Sequence, residues 1–155
     1  MDSNYTKLIE AIRAFCLIVD HWERYQCLEW LGKIEQLLSL IDKEMAQLEL
    51  DADCSFFVLP DLEYRFQMFC RLKAFLGEVD GYPLAGDDVD DPEDYTGSLA
   101  DDITELYFEL RRGLKLYEAE APNCLPALTL WYSGYLLHWQ DHLLDAQNRI
   151  RALLY

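Results

Sequence analysis

Apolar residues recur along this chain at three- and four-residue steps, in five separate stretches. Tyr5, Leu8, Ile9, Ile12, Phe15, Cys16, Val19 and Trp22 make one face of a helix expected from about Asn4 to His21, with His21 pointing away from it into solvent. Leu28, Leu31, Ile34, Leu38, Ile41, Met45 and Leu48 make the stripe of a second helix, about Gln26 to Leu48, with Gly32 lowering propensity inside it. After a break, Asp61 is placed to cap a third helix whose stripe runs through Leu62, Phe66, Phe69, Cys70, Leu72, Phe75 and Leu76 and stops near Gly77. Leu99, Ile103, Leu106, Leu110, Leu114 and Tyr117 define a fourth helix, opened by Ser98 and Asp101 in the manner of a capping box. Pro126 suits the first turn of a fifth, which reaches Leu154 with Leu128, Trp131, Tyr132, Tyr135, Trp139, Ala146, Ile150 and Leu153 inside. Strand-like alternation is nowhere sustained. The fold class expected is all-α: one bundle of about five helices, spanning residues 1–155 as a single domain.

Two stretches break the helical pattern. Phe56-Phe57-Val58-Leu59, followed by Pro60, reads as an extended plug lying over the bundle. Residues 78–98 read as a long acidic loop, rich in glycine and proline, with acids at Asp80, Asp87, Asp88, Asp90, Asp91, Glu93 and Asp94. That loop lacks the alternating ligands, mid-loop glycine and twelfth-position glutamate of a calcium loop, so it reads as solvated surface.

Composition narrows the partners. Thirteen basic residues against 29 acidic ones give a net charge of −16, which opposes binding to nucleic acid and to an anionic membrane surface. It favours a protein partner with a basic surface. No apolar run is long enough to span a bilayer, and the N-terminal helix carries Glu10 and Arg13 with no cleavage signal after it, so a cytoplasmic location is expected. Five cysteines in irregular spacing, with no CxxC, fit a reducing compartment; Cys16 and Cys70 fall on apolar stripes as small hydrophobes. Met45 and Met68 also read as core.

The densest chemistry is in the last helix. His138 and His142 stand one turn apart, so both project from one side, with Asp145 and Arg149 continuing that flank. Asp145 is placed to accept the ring proton of His142. Asp102 and Glu109 flank the stripe of the fourth helix, and antiparallel packing would bring Asp102 toward the histidines. His138, His142, Asp145 and Asp102 would then form a zinc, iron or manganese set, although half-buried histidines more often serve simply to lock two helices together. No cofactor is predicted beyond such a divalent metal. HExxH, Glu-x-x-His, a phosphate-cradling glycine loop and a GxSxG elbow are all missing, so no catalytic residue is assigned and the reading leans away from an enzyme.

The blocks Ser98-Leu99-Ala100-Asp101-Asp102-Ile103, Leu106-Tyr107, Leu110, Gly113-Leu114 and Tyr117, with Trp131, His138-Trp139, His142 and Asp145-Ala146, resemble the uncharacterised bacterial family DUF5063. The resemblance spans most of the chain. It implies a small helical cytosolic protein and groups Asp101, Asp102, His138, His142 and Asp145 in one constellation. It implies no activity. Gln140 stands where the family tends to glycine, and Glu109 where it tends to aspartate.

Three functions follow as expectations. The first is a non-enzymatic interaction protein using the Trp131, His138 and His142 flank or the acidic loop. The second is a metal or small-ligand site on His138 and His142 with nearby carboxylates. The third is an acidic mimic of nucleic acid, favoured by the absence of lysine and arginine between Lys73 and Arg111. Leu154 and Tyr155 leave a homodimer open.

Overall fold

A computed structural model describes residues 5–155 of the chain. Asn4, the expected start of the first helix, lies outside the described residues. The helices are α1 (Thr6–Asp20), α2 (Cys27–Ala46), α3 (Leu62–Leu76), α4 (Leu99–Glu120), α5 (Leu125–Gly134) and α6 (Gln140–Leu154). A π-helical turn, Tyr135–Trp139, joins α5 to α6, so the two form one interrupted rod. Counted that way, this is the expected five-helix all-α bundle. No helix is long and apolar enough to cross a membrane among the described residues.

Helix α4 is the axle, packed against α1, α3, α5 and α6, while α2 closes the bundle between α1 and α6. Its stripe is buried from Leu99 through Ile103, Leu106 and Leu110 to Leu114. Near its C-terminal half, Gly113 leaves room for Trp131, whose indole donates to the Leu110 carbonyl at 3.0 Å. A side chain at 113 would put its Cβ 2.0 Å from the indole nitrogen. Trp139, on the π turn, closes over Gly134 in the same way.

The stripes of α1 and α2 pack largely as expected, with two differences. Leu28 is 51% exposed, while Trp30, outside the expected stripe, is fully buried. The indole of Trp30 donates to the Ile18 carbonyl at 2.9 Å and meets Phe75 edge-on, so it closes the joint between α1 and α3 that Leu28 faces away from. His21 is half-buried at the end of α1 rather than exposed.

Helix α3 departs most. Leu62 and Phe66 are 75% and 65% exposed, Cys70 is exposed, and Phe69, Met68 and Phe75 are only partly covered. The inward row is instead Arg65, Leu72 and Leu76. Arg65 takes the inner position because α4 offers it Glu105 and Glu109, at 2.6 and 2.8 Å. A buried guanidinium needs such partners, and turning it inward rotates Leu62 and Phe66 out.

The segment before α3 lies over α4 and α5. Asp53 donates its backbone N–H to Ser133 at 2.7 Å, and Arg112 donates to the Phe57 carbonyl at 2.7 Å with its guanidinium near the rings of Phe56 and Phe57. Phe56 and Leu59 are half-buried, but Phe57 is 59% exposed, so the segment is a strap more than a plug.

The acidic loop is anchored at both ends. A two-residue antiparallel ladder pairs Gly81 with Ser98 and Tyr82 with Gly97 (strands β1, Gly81–Tyr82, and β2, Gly97–Ser98). Asp80, expected on the surface, is buried at the α4 N-terminus. Its Oδ1 accepts from the Ala100 N–H at 2.7 Å and its carboxylate takes the Ser98 hydroxyl, while Ser98 accepts from the Asp101 N–H at 3.2 Å. A carboxylate there meets both unpaired helix donors and the positive end of the dipole. Farther out, Asp87 accepts from the Leu84 and Thr96 backbone N–H groups, and those bonds hold its carboxyl below the usual range.

Candidate functional site: a histidine and carboxylate cluster between two helices

Acidic residues on α4 recur at 101, 102, 105 and 109, a helical spacing that carries them along one flank. Asp102 and Glu109 are buried, Glu105 is half-buried and Asp101 is the most open. The π turn and the start of α6 set His138 and His142 opposite, with ring centroids 5.6 Å apart and planes at 75°. π turns inside helices frequently mark functional sites, because the extra residue re-aims the side chains that follow.

Two hydrogen-bond chains converge here. In the first, Tyr82 donates to Asp102 Oδ2, and Asp102 Oδ1 lies 2.8 Å from His142 Nδ1. Tyr82 can lie across the site because residue 97 is glycine: a Cβ there would fall 2.4 Å from its ring. In the second, His138 Nε2 lies 3.1 Å from Glu105 Oε2, which also accepts from Arg65 Nη1 at 2.6 Å. Arg65 continues to Glu109 at 2.8 Å and to Asp61 at 2.5 Å.

The electrostatics follow from this wiring. Burial disfavours a charged His142, but the bond to Asp102 and the charges of Asp102, Asp101 and Glu105 outweigh it, raising its pKa above the ordinary value. Burial raises Asp102 as well, against the bonds it accepts from His142 and Tyr82. Both shifts favour a proton held by the pair. Burial also works against an ionised Glu105, yet the bond from His138 and the charge of Arg65 hold it below its usual range. Burial and the Asp102 contact push the Tyr82 phenol upward, so it stays a donor.

Asp101, Asp102, His138 and His142 therefore do meet. Asp101 Oδ2 stands 4.0 Å from His142 Nδ1. Asp145 is half-buried and contributes charge near Tyr82, but the ring nitrogen it was expected to hold goes to Asp102. Trp131 is core, under Gly113, and offers no surface. Glu109 pairs with Arg65 and Arg112 rather than with the histidines. The residues that sequence reasoning missed are Glu105, Arg65 and Tyr82. Glu105 had a signal, standing four residues after Asp101 and three after Asp102. Arg65 and Tyr82 are remote in sequence and had none.

One donor atom from each of Glu105, His138 and His142 lies within 4.8 Å of the others, and the same holds for Asp101, Asp102 and His142. Atoms that share an ion at about 2.1 Å stand roughly 3.0–3.4 Å apart. The His138–Glu105 separation of 3.1 Å meets that spacing. The third donor atom, on His142, stands within 4.8 Å of the other two. With Asp102 on Nδ1, the ring presents Nε2 as the ligand, the arrangement in which a carboxylate orients a metal-binding histidine.

The solved structure of protein BF1032 from Bacteroides fragilis is similar to this chain with a TM-score of 0.78 at 16% identity, covering 99% of this chain and 94% of that one. At that identity the likeness is one of fold. No curated protein matches the sequence. The family model described as "Domain of unknown function (DUF5063)" matches residues 1–155, and the chain belongs to that family.

Proposed function

We propose that this protein binds a first-row divalent transition metal, with Glu105, His138 and His142 as ligands. The observation that carries the reading is the convergence of those three donors, with His142 held through its far nitrogen by Asp102. Two imidazoles and one carboxylate suit zinc, manganese or iron, and they leave coordination positions for water or a small ligand. The side chains of Glu105, His138 and His142 are 20%, 22% and 25% exposed, enough for an ion to enter without unfolding. Asp102, Tyr82 and Arg65 position the ligands from behind.

The test is metal content of untagged protein, followed by melting of the demetallated chain with Zn2+ or Co2+ added. Wild type should hold close to one ion and gain stability from added metal, since a ligand of the native state stabilises by mass action. His138→Ala/His142→Ala should lose both, and His21→Ala neither. Absence of any metal-dependent shift in wild type, or an equal shift in the double variant, would refute the assignment.

A second reading keeps the protein as a non-enzymatic interaction module for a partner with a basic surface. It is favoured by the outward apolar pair Leu62 and Phe66 on α3 and by the exposed acids Asp88, Asp90 and Asp91 of the loop. Reversing those three charges should abolish capture of the partner while leaving metal binding intact. Unchanged capture would rule out the loop as the contact. A cytoplasmic location accords with five cysteines that are all free.

A further inference from the structure

In a chain of net charge −16, a cluster of cations on one groove is notable chemistry. Such a groove, of about 560 Å³, runs along the C-terminal half of α4. Arg111, Arg112 and Lys115 line it on the basic side, while Leu59, Tyr64 and Phe108 supply apolar wall. Asp61 also lines it, but its carboxylate is already committed to Arg65 Nε at 2.5 Å. Among the described residues no ion pair joins Arg111 or Lys115 to a carboxylate, and the nearest acid to Arg112 is Glu109 at 4.0 Å. Arg112 is pre-positioned: one nitrogen donates to the Phe57 carbonyl, and the guanidinium lies 5.3 and 5.5 Å from the Phe57 and Phe56 ring centres. Tyr64, which also lines the groove, is 67% exposed and presents an aromatic surface to a planar partner.

We infer that this groove binds a small phosphorylated ring compound, of the nucleoside monophosphate class. Two guanidinium groups and an ammonium match the charge and the acceptor geometry of a phosphate monoester. Tyr64 takes the ring, with Leu59 and the edge of Phe108 as apolar wall, in the manner of mostly apolar sites that carry a few fixed polar groups. The charge of the rest of the molecule repels extended polyanions and so restricts the site to a small anion. This site is separate from the histidine cluster and does not depend on a metal there.

The experiment is calorimetric titration of the full chain with AMP, inorganic phosphate and adenosine. AMP should bind wild type more tightly than either of its parts. Arg111→Glu/Lys115→Glu should weaken AMP by at least about 10-fold with an unchanged far-UV spectrum, since two charge-assisted contacts are lost. Lys7→Glu/Lys33→Glu carries the same change in net charge at exposed sites elsewhere and should stay within about 2-fold. No AMP binding to wild type at millimolar concentration would overturn the proposal. So would equal loss in both double variants, phosphate binding as tightly as AMP, or adenosine doing so.

Discussion

Replacing Gly113 with alanine should destabilise the protein, although helix propensity alone says the opposite. In an exposed helix interior, glycine to alanine gains up to about 1 kcal/mol. At 113, however, the new Cβ would stand 2.0, 2.4 and 2.5 Å from three atoms of the Trp131 indole. That ring is fully buried and rigid, so it must move as a unit. Overpacking of this kind costs about 1–3 kcal/mol. Moving the ring also breaks the indole bond to the Leu110 carbonyl, worth about 1–2 kcal/mol when its donor is left buried. After the propensity gain, the net loss is roughly 2–3 kcal/mol, or about 5–10 °C in Tm for a domain of this length. Gly32→Ala is the matched control, because its Cβ would meet only Leu154 Cδ1, at an ordinary 3.7 Å. It should stabilise by about 0.5–1 kcal/mol. Thermal and urea unfolding of both variants measures the contrast. If Gly113→Ala melts at or above wild type, the packing of Trp131 against α4 is misassigned.

Other perturbations probe the wiring behind the site. Arg65→Met should cost about 3–5 kcal/mol in urea unfolding, because Glu105 and Glu109 lose their shared counter-charge, and adding Glu109→Gln should recover part of that loss; a cost below about 1 kcal/mol would contradict a buried ion cluster. Asp80→Ala should lower stability by about 1–3 kcal/mol through the lost Ala100 and Ser98 bonds, with Asp80→Asn milder, and equal melting of Asp80→Ala and wild type would refute that capping role. For His142 the folded pKa lies above the unfolded value of about 6.5, so its pairing with Asp102 contributes fully below that pH and fades as pH rises through the folded value. The Tm gap between wild type and His142→Gln in metal-free protein should therefore be wider at about pH 6 than at about pH 9, and a gap that grows with pH would reverse the assignment. Metal affinity should run the other way, strengthening with pH as the competing proton leaves His142.

The helices themselves, most of their inward rows in α1, α2, α4 and the last rod, and the shared side of His138 and His142 were legible in residue spacing. Those features are local: a period of 3.6 within one helix decides which side chains line up, and burial of the apolar row follows. The approach of Asp102 to the histidines followed once α4 and α6 were taken as neighbours. What spacing did not determine was anything that depends on a meeting between elements. Which face of α3 turns inward was decided by Arg65, and that choice makes sense only beside Glu105 and Glu109 of α4. Tyr82 reaches Asp102 because Gly97, across a two-residue ladder, leaves its ring a place to lie. His142 takes its proton partner from a different helix rather than from Asp145 on its own, because the buried Asp102 carboxylate lacks the water that satisfies a more exposed one. Sequence thus determined the elements and one histidine flank of the cluster. Tertiary structure decided the register between helices, and with it which charges are buried together, which is what turns those residues into a site.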